Sequence, residues 1–370
     1  MATWPPSPSP IPAEMKAIQV TSYNTPYKLT TIPIPSLGPH DLLIKVAVAS
    51  YCHTDSMVAS GTFHTRLPVT ASHEGAGTVA AIGAEVQAQS FRVGDRVMCG
   101  LPLHPCGKCS DCLGPEEGYR QYCRGVEGHV GVHVDGCFAE YVRVDERFAT
   151  KLPDQVEMRD AAPLACAGRT IWRGVRMAGL KPGEWLAIVG AGGGLGHLGV
   201  QFARAMGVRV VGVDARDEGL RLGRECGADV VVDARIGRAQ VVGEVQRATG
   251  GEGAHATIVL ADAEGATALA AAVTRMHGTV VQLAQPDEVK IPFHEFVFRD
   301  IRFRGSMLCS PEESREMVEF IAEHSGKSEG GIKVETTAFE GLEKIEELME
   351  LVRSGKLRGK AVIVVDKEQH

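Results

Sequence analysis

Cys106, Cys109, Cys112 and Cys123 stand at C-x2-C-x2-C-x10-C spacing in a stretch rich in Gly, Pro and charge. Four thiolates so placed can surround one tetrahedral zinc, whose binding then organises a loop with no apolar core of its own. Two disulfides or four unrelated buried thiols are the plainer alternatives. With all four positions filled, such a zinc site is closed, and therefore structural and not catalytic. A second feature is Gly190-Ala191-Gly192-Gly193-Gly194-Leu195-Gly196, set between an apolar run and a helical pattern. Glycines allow the tight turn that brings backbone N–H groups up to a diphosphate at the positive end of a helix. The best register is G-x-x-G-x-x-G at Gly190, Gly193 and Gly196, with Gly194 and Leu195 inside the loop. The following strand ends at Asp214, whose carboxylate can accept hydrogen bonds from the adenosine ribose and repels a 2′-phosphate. NAD(H) is therefore favoured, although Arg216 could soften the preference and NADP(H) stays open.

Other chemistry-bearing residues are scattered. Cys52-His53-Thr54-Asp55 and Ser72-His73-Glu74-Gly75 lie far apart, and Cys166 further still. Taken singly, each has an ordinary reading, because cysteine is commonly buried and His73 could be a hydrogen-bonded core histidine. The elements that must position them divide the chain. After a Pro/Ser-rich tail over residues 1–14, short alternating runs such as Leu43–Val48, Gly77–Ala81 and Phe138–Val144 predict a mostly β half. From about Cys166, strands and helices alternate. Trp185–Val189, Leu195–Met206, Arg209–Val213, Glu218–Cys226 and Val280–Leu283 predict an α/β half, a parallel sheet covered by helices that weakens near Phe303. Helices through Ala322 and over Leu342–Arg353 and a strand at Lys360–Val365 close the chain.

Composition excludes several classes. A chain of 370 residues suggests two domains. With 39 Lys+Arg against 46 Asp+Glu, a net charge of −7 argues against nucleic-acid or anionic-membrane partners. No apolar run approaches the roughly 20 residues of a membrane span. The N-terminus lacks the apolar core or basic flank of a targeting segment, so a cytoplasmic location is expected. Thiols stay reduced there, which favours metal over disulfides for the ten cysteines.

Cys52-His53-Thr54-Asp55, His73-Glu74-Gly75-Ala76-Gly77, the four-cysteine lobe, Ala165-Cys166-Ala167-Gly168 and the Gly190–Gly196 loop occur in the order of the zinc-dependent medium-chain alcohol dehydrogenases. The chain resembles their yeast and microbial branch most, from Met15 to Asp366. The resemblance implies a doubly wound Rossmann sheet, residues 167–308, inserted in a mostly β GroES-like catalytic domain, residues 15–166 plus 309–370. It implies two zinc ions per chain. Cys52, His73 and Cys166 would hold the catalytic ion, and the four-cysteine lobe the structural one. Glu74 would be a carboxylate near the metal and Asp55 the group that orients His73. Thr54 would accept the proton of the bound alcohol, and His53 and Lys360 would contact the cofactor phosphates. Such a site polarises an aldehyde or ketone, or stabilises an alkoxide, while NAD(H) carries the hydride. Relatives suggest a homotetramer, with a dimer as the alternative.

Two departures bear on function. Met57 stands where many relatives carry a histidine that completes the proton relay, and His64 is a possible substitute. Phe63 and Leu101 stand where small-alcohol members carry aromatic pocket walls, which implies a substrate bulkier than ethanol, such as an aromatic, cyclic or metabolite-derived alcohol or aldehyde from specialised metabolism. The competing readings are a zinc-free quinone or enoyl reductase of the same superfamily and a non-catalytic NAD-binding protein. The complete ligand set argues against both.

Overall fold

A computed structural model describes residues 10–114, 117–327 and 330–369. The expected tail lies outside the described residues as far as residue 9, and the first strand is Glu14–Val20. Strand Asp41–Ser50 is nearly continuous in apolar residues and buried along its length, the pattern of a strand covered on both faces. It pairs antiparallel with Glu74–Ile82, Tyr141–Asp145 and Lys360–Val364 in a seven-stranded sheet, in which Thr336–Glu340 runs parallel to Lys360–Val364. The end of the chain thus completes the sheet that its first third begins. Register decides what this sheet presents. Ser50 pairs with Glu74 on one side and with Val362 on the other. Cys52, His73 and Lys360 therefore emerge at one end of three neighbouring strands.

The second sheet has six parallel strands in the order Val230–Asp233, Arg209–Asp214, Trp185–Val189, Ala254–Val259, Thr274–Gln282 and Arg302–Gly305. Counted along the chain this is 3-2-1-4-5-6, the doubly wound order whose ligand crevice lies where the winding reverses, beyond Trp185–Val189 and Ala254–Val259. Alternation along Trp185–Val189 sends Leu186 and Ile188 into one core and Trp185, Ala187 and Val189 into another. The first of these cores also contains Ala47 and Val48 of the first sheet and Ile171, Trp172 and Val175 of helix Arg169–Met177. Apolar packing is continuous between the two halves.

Most expected elements are present, with helices at Gly196–Ala205, Asp217–Glu225, Pro311–His324 and Ile345–Arg353. Thr274–Gln282 begins well before the expected Val280, because residues Arg275 to His277 are partly or fully exposed and carry no apolar alternation. The weak signal at Phe303 is the edge strand Arg302–Gly305, largely exposed and paired on one side with Thr274–Gln282. Among the described residues no helix is long and apolar enough to cross a membrane.

Candidate active site

Cys52, His73, Glu74 and Cys166 each offer a ligand atom, and these atoms lie within 4.8 Å of one another. Cys52 caps helix His53–Ser60. Asp55, fully buried, accepts from Cys52 N through Oδ2 at 2.8 Å and from Ser72 N through Oδ1 at 2.9 Å. One carboxylate thereby fastens together the two segments that carry Cys52 and His73. The resemblance assigned Asp55 to the His73 ring. Its hydrogen bonds instead go to these two N–H groups, and burial pushes its pKa up to about 6. His73 Nδ1 is buried without a hydrogen-bond partner. A buried imidazole nitrogen left without a partner is costly. Cys166 sits in the π-helical turn Leu164–Gly168, just after Pro163, whose missing N–H disrupts the α-helical ladder and favours the wider turn.

Charge in this cluster is closely matched. The Cys166 thiol donates to Cys52, and with Lys360 and His73 nearby it holds the Cys52 thiol well below its usual range while Cys166 itself rises. Burial alone would lower His73, but the Cys52 thiolate beside it wins and lifts it to about 9. Burial pushes Glu74 up to about 7, opposed by Lys360. Lys360 Nζ is 2.6 Å from Glu74 Oε2, with both side chains buried, and Glu74 Oε1 accepts from Ala167 N at 3.2 Å. Lys360 was expected at the cofactor phosphates. Only its stem approaches that loop, since a Cβ on Gly194 would lie 2.7 Å from Lys360 Cδ. The ammonium turns to Glu74 because a buried carboxylate needs a cation.

Two neighbours escaped sequence reading. Thr170 Oγ1 lies 4.0 Å from Cys166 Sγ, while the expected Thr54 Oγ1 lies 3.8 Å from Cys52 Sγ. Arg169 is buried and donates to Ser314 Oγ, Cys99 O, Phe148 O and Thr150 Oγ1 at 2.8–3.0 Å. It pins the helix that follows Cys166 to both flanking layers. The only signal in the sequence was a charge inside an otherwise apolar helix start.

In the second cluster, Sγ–Sγ separations are 3.5 Å for Cys109–Cys112, 3.8 Å for Cys109–Cys123 and 3.6 Å for Cys106–Cys123. A tetrahedral zinc with bonds of about 2.3 Å requires about 3.8 Å between sulfurs, so the set fits that ion closely. No cysteine is in a disulfide. Backbone N–H groups of Lys108 and Cys109 lower Cys106 to about 6, whereas burial and neighbouring thiols push Cys112 up to about 12.

The crevice of the parallel sheet holds the glycine loop. Gly190 has φ 92°. Gly192, which the expected register passed over, is the tightest position, since a Cβ there would lie 2.0 Å from Gly219 O. At Gly193 the nearest atom would be 3.4 Å away. Gly192 N donates to Asp214 Oδ2 at 3.0 Å, and Arg216 Nε lies 3.6 Å from Asp214 Oδ1. Gly190, Asp214, Arg216 and Leu260 line a cavity of about 550 Å³. His53 is exposed and reaches across to the second half, with Nε2 3.6 Å from Asp262 Oδ2.

Residues 38–154 match the family described as Alcohol dehydrogenase GroES-like domain, and residues 194–323 match Zinc-binding dehydrogenase. The chain is 36% identical over 354 residues to an alcohol dehydrogenase of Rhizobium meliloti, covering 94% of this chain and 98% of that one. It belongs to the zinc-dependent alcohol dehydrogenases. Alcohol dehydrogenase 1 of Emericella nidulans is also 36% identical, over 90% of this chain and 92% of its own. The crystal structure of the alcohol dehydrogenase from Aeropyrum pernix superposes with a TM-score of 0.84 at 29% identity, covering 94% and 99% of the two chains. The fold is the expected one, a GroES-like domain joined to a dinucleotide-binding Rossmann sheet. The protein is thus an oxidoreductase acting on CH–OH, and its two clusters suit two zinc ions. In this alcohol dehydrogenase Phe63 packs partly buried against the core of the first sheet, and Leu101 is buried with its carbonyl accepting from Val130 N at 2.9 Å. Met57 lies in helix His53–Ser60, and His64 is exposed with φ 52°.

Proposed function

We propose that this alcohol dehydrogenase acts on alcohols bulkier than ethanol, or on the matching aldehydes and ketones, with NAD(H) preferred. The observation that carries the reading is the convergence of Cys52, His73 and Cys166 beside a carboxylate already paired with Lys360. Those three residues would hold the catalytic zinc, and Cys106, Cys109, Cys112 and Cys123 the structural one. When bound, the catalytic ion supplies Lewis acidity and NAD(H) supplies or takes the hydride. Thr54 Oγ1 is the first proton acceptor for the alcohol. Met57 has no titratable group, so a proton leaving Thr54 would pass to water, to the ribose of a bound cofactor, or to a substitute such as His64. Lys360 draws Glu74 Oε2 to itself and steadies its approach to the metal position. His53, the N–H groups of the glycine loop and Lys360 would hold the cofactor phosphates, and Asp214, partly covered by Arg216, would disfavour a 2′-phosphate. Leu101 in place of an aromatic wall, with Phe63 drawn into the core, leaves room for a larger substrate.

Residues 15–166 with 309–370 would form the catalytic unit and 167–308 the cofactor unit, a division supported by the return of Lys360–Val364 to the first sheet. A second copy would pair at the edge strand Arg302–Gly305. There Phe293 and Phe298 are 65% and 71% exposed, and Phe296 contacts Phe303 with ring centroids 5.7 Å apart. Such dimers would associate further into a tetramer. A panel of primary, benzylic and cyclic alcohols with both cofactors tests the proposal. Faster turnover of benzylic alcohol than of ethanol, with NAD, is expected. Preference for ethanol or for NADP would overturn the corresponding part.

A further inference from the structure

Helix Gly196–Ala205, which opens on the glycine loop, buries His197 completely and Gln201 almost so. Four residues apart, the two share one face. Laid against that face is Lys333–Glu335, which leads directly into strand Thr336–Glu340 of the first sheet. Lys333 N donates to Gln201 Oε1 at 2.8 Å, and Gln201 Nε2 donates to Lys333 O at 3.0 Å. One side-chain amide takes both backbone groups of Lys333, as a neighbouring strand would. One turn earlier, Glu335 N donates to His197 Nε2 at 3.2 Å. That nitrogen must carry a lone pair, so the ring proton sits on Nδ1, which donates to Gly193 O at 3.1 Å. Glu335 O in turn accepts from Lys360 N at 2.8 Å. Burial keeps the ring neutral, with its pKa pushed down to about 4, and the charge of Lys360 acts in the same direction.

A chain of contacts therefore runs from Gly193 through His197 and Glu335 to Lys360, and from Lys360 to Glu74 at the cysteine and histidine cluster. We propose that His197 is a positioning residue, whose neutral imidazole holds the Gly193 carbonyl and the segment leading to Lys360 in fixed register, so that cofactor affinity depends on its Nδ1–H bond. The proposal rests on reading Gly190–Gly196 as the diphosphate loop. The alternative is that His197 and Gln201 merely fill space between the two halves.

The two ring bonds can be separated in the zinc-loaded, full-length protein. His197→Asn keeps a donor at the reach of Nδ1 and gives up Glu335 N. His197→Gln keeps a polar atom at the reach of Nε2 and gives up the side-chain bond to Gly193 O, leaving that carbonyl only the backbone N–H of residue 197, at 3.1 Å in the parent. Gln201→Leu removes the adjacent clamp and leaves both histidine bonds. NADH fluorescence titration gives the dissociation constant without turnover, steady-state kinetics gives KM for cofactor and for alcohol, and a thermal midpoint accompanies each variant. His197→Gln should weaken NADH about tenfold and raise the cofactor KM alike, with the alcohol KM unchanged, while His197→Asn stays within about threefold of the parent. Gln201→Leu should lower the thermal midpoint without moving the NADH constant. Equal NADH affinity in the Asn and Gln variants, or a Gln201→Leu effect as large as that of His197→Gln, would overturn the proposal alone. Absence of saturable NADH binding to the parent would overturn the loop reading with it.

Discussion

The two clusters of ligand side chains solve one chemical problem in opposite ways. Cys106, Cys109, Cys112 and Cys123 come from one short segment and are mostly half-exposed. Cys52, His73 and Cys166 come from three separate segments, the first two buried and the third half-buried in a π turn, with the buried Lys360–Glu74 pair beside them. Metal would stabilise the first arrangement most, since its segment contributes little to the apolar core. The second is largely preformed by the sheet register, because Ser50 opposite Glu74 brings the ligand segments together whether or not an ion is bound. Binding energy thus serves folding in one site and leaves reactivity to the other.

Substitution of a single thiol should separate the two roles most strongly. Cys52→Ala should reduce turnover to background and remove one zinc per chain, with the circular dichroism of the fold retained. Cys112→Ser should instead lower the thermal midpoint, by about 2–4 °C for each kcal/mol lost, with turnover persisting at low temperature. Metal analysis beside calorimetry checks both, and equal loss of turnover in the two variants would break the comparison.

Lys360→Met probes the buried charge that distinguishes the catalytic cluster. Leaving Glu74 unpaired should cost about 3–5 kcal/mol in urea unfolding, and adding Glu74→Gln should recover most of it. The deficit should shrink as pH falls toward about 7 and be lost below it, because without the ammonium Glu74 takes up its proton at a higher pH than in the parent, where Lys360 holds it down to about 7. A constant deficit with pH would show that packing of the lysine stem, not its charge, is what matters.

Zinc uptake offers a subtler contrast. Without the ion, His73 titrates at about 9 and Cys166 well above its usual range, so both carry protons at pH 7 that zinc must displace. Affinity of the Cys52, His73 and Cys166 cluster should therefore rise with pH, steeply up to about 9 while both protons must leave and less steeply beyond it for Cys166 alone. Proton release measured in weakly buffered solution checks it, and release of no protons at pH 7 would contradict the charge assignment. The smallest effect expected is that of Met57→His, which should leave the fold intact and add to the pH profile of turnover a group titrating near 6.5. An unchanged profile would mean that protons already leave efficiently by another path.

What could be read in advance follows how locally each feature is encoded. The four-cysteine spacing and the strand–loop–helix around Gly190 are local, and both appear in the structure close to where the residues imply. Gly192 was misjudged because its constraint comes from Gly219, on another helix. Asp55 and Lys360 have roles implied by resemblance, but their partners here, Cys52 N and Ser72 N for the one and Glu74 for the other, are set by three-dimensional packing. Arg169 and His197 gave almost no signal, since a single polar residue in a helix reads as a solvated one until its neighbours are known.

By itself the sequence determined the elements, the two-part architecture and the types of ligand, because periodicity, glycine placement and thiol spacing act over a few residues. Tertiary structure alone decided that Cys52, His73 and Cys166 meet, that Lys360 faces Glu74, and that His197 joins the glycine loop to the returning chain. Each of these depends on strand register and on the packing of segments more than a hundred residues apart, such as His197 against Glu335, at |i−j| of 138. No local pattern specifies such contacts.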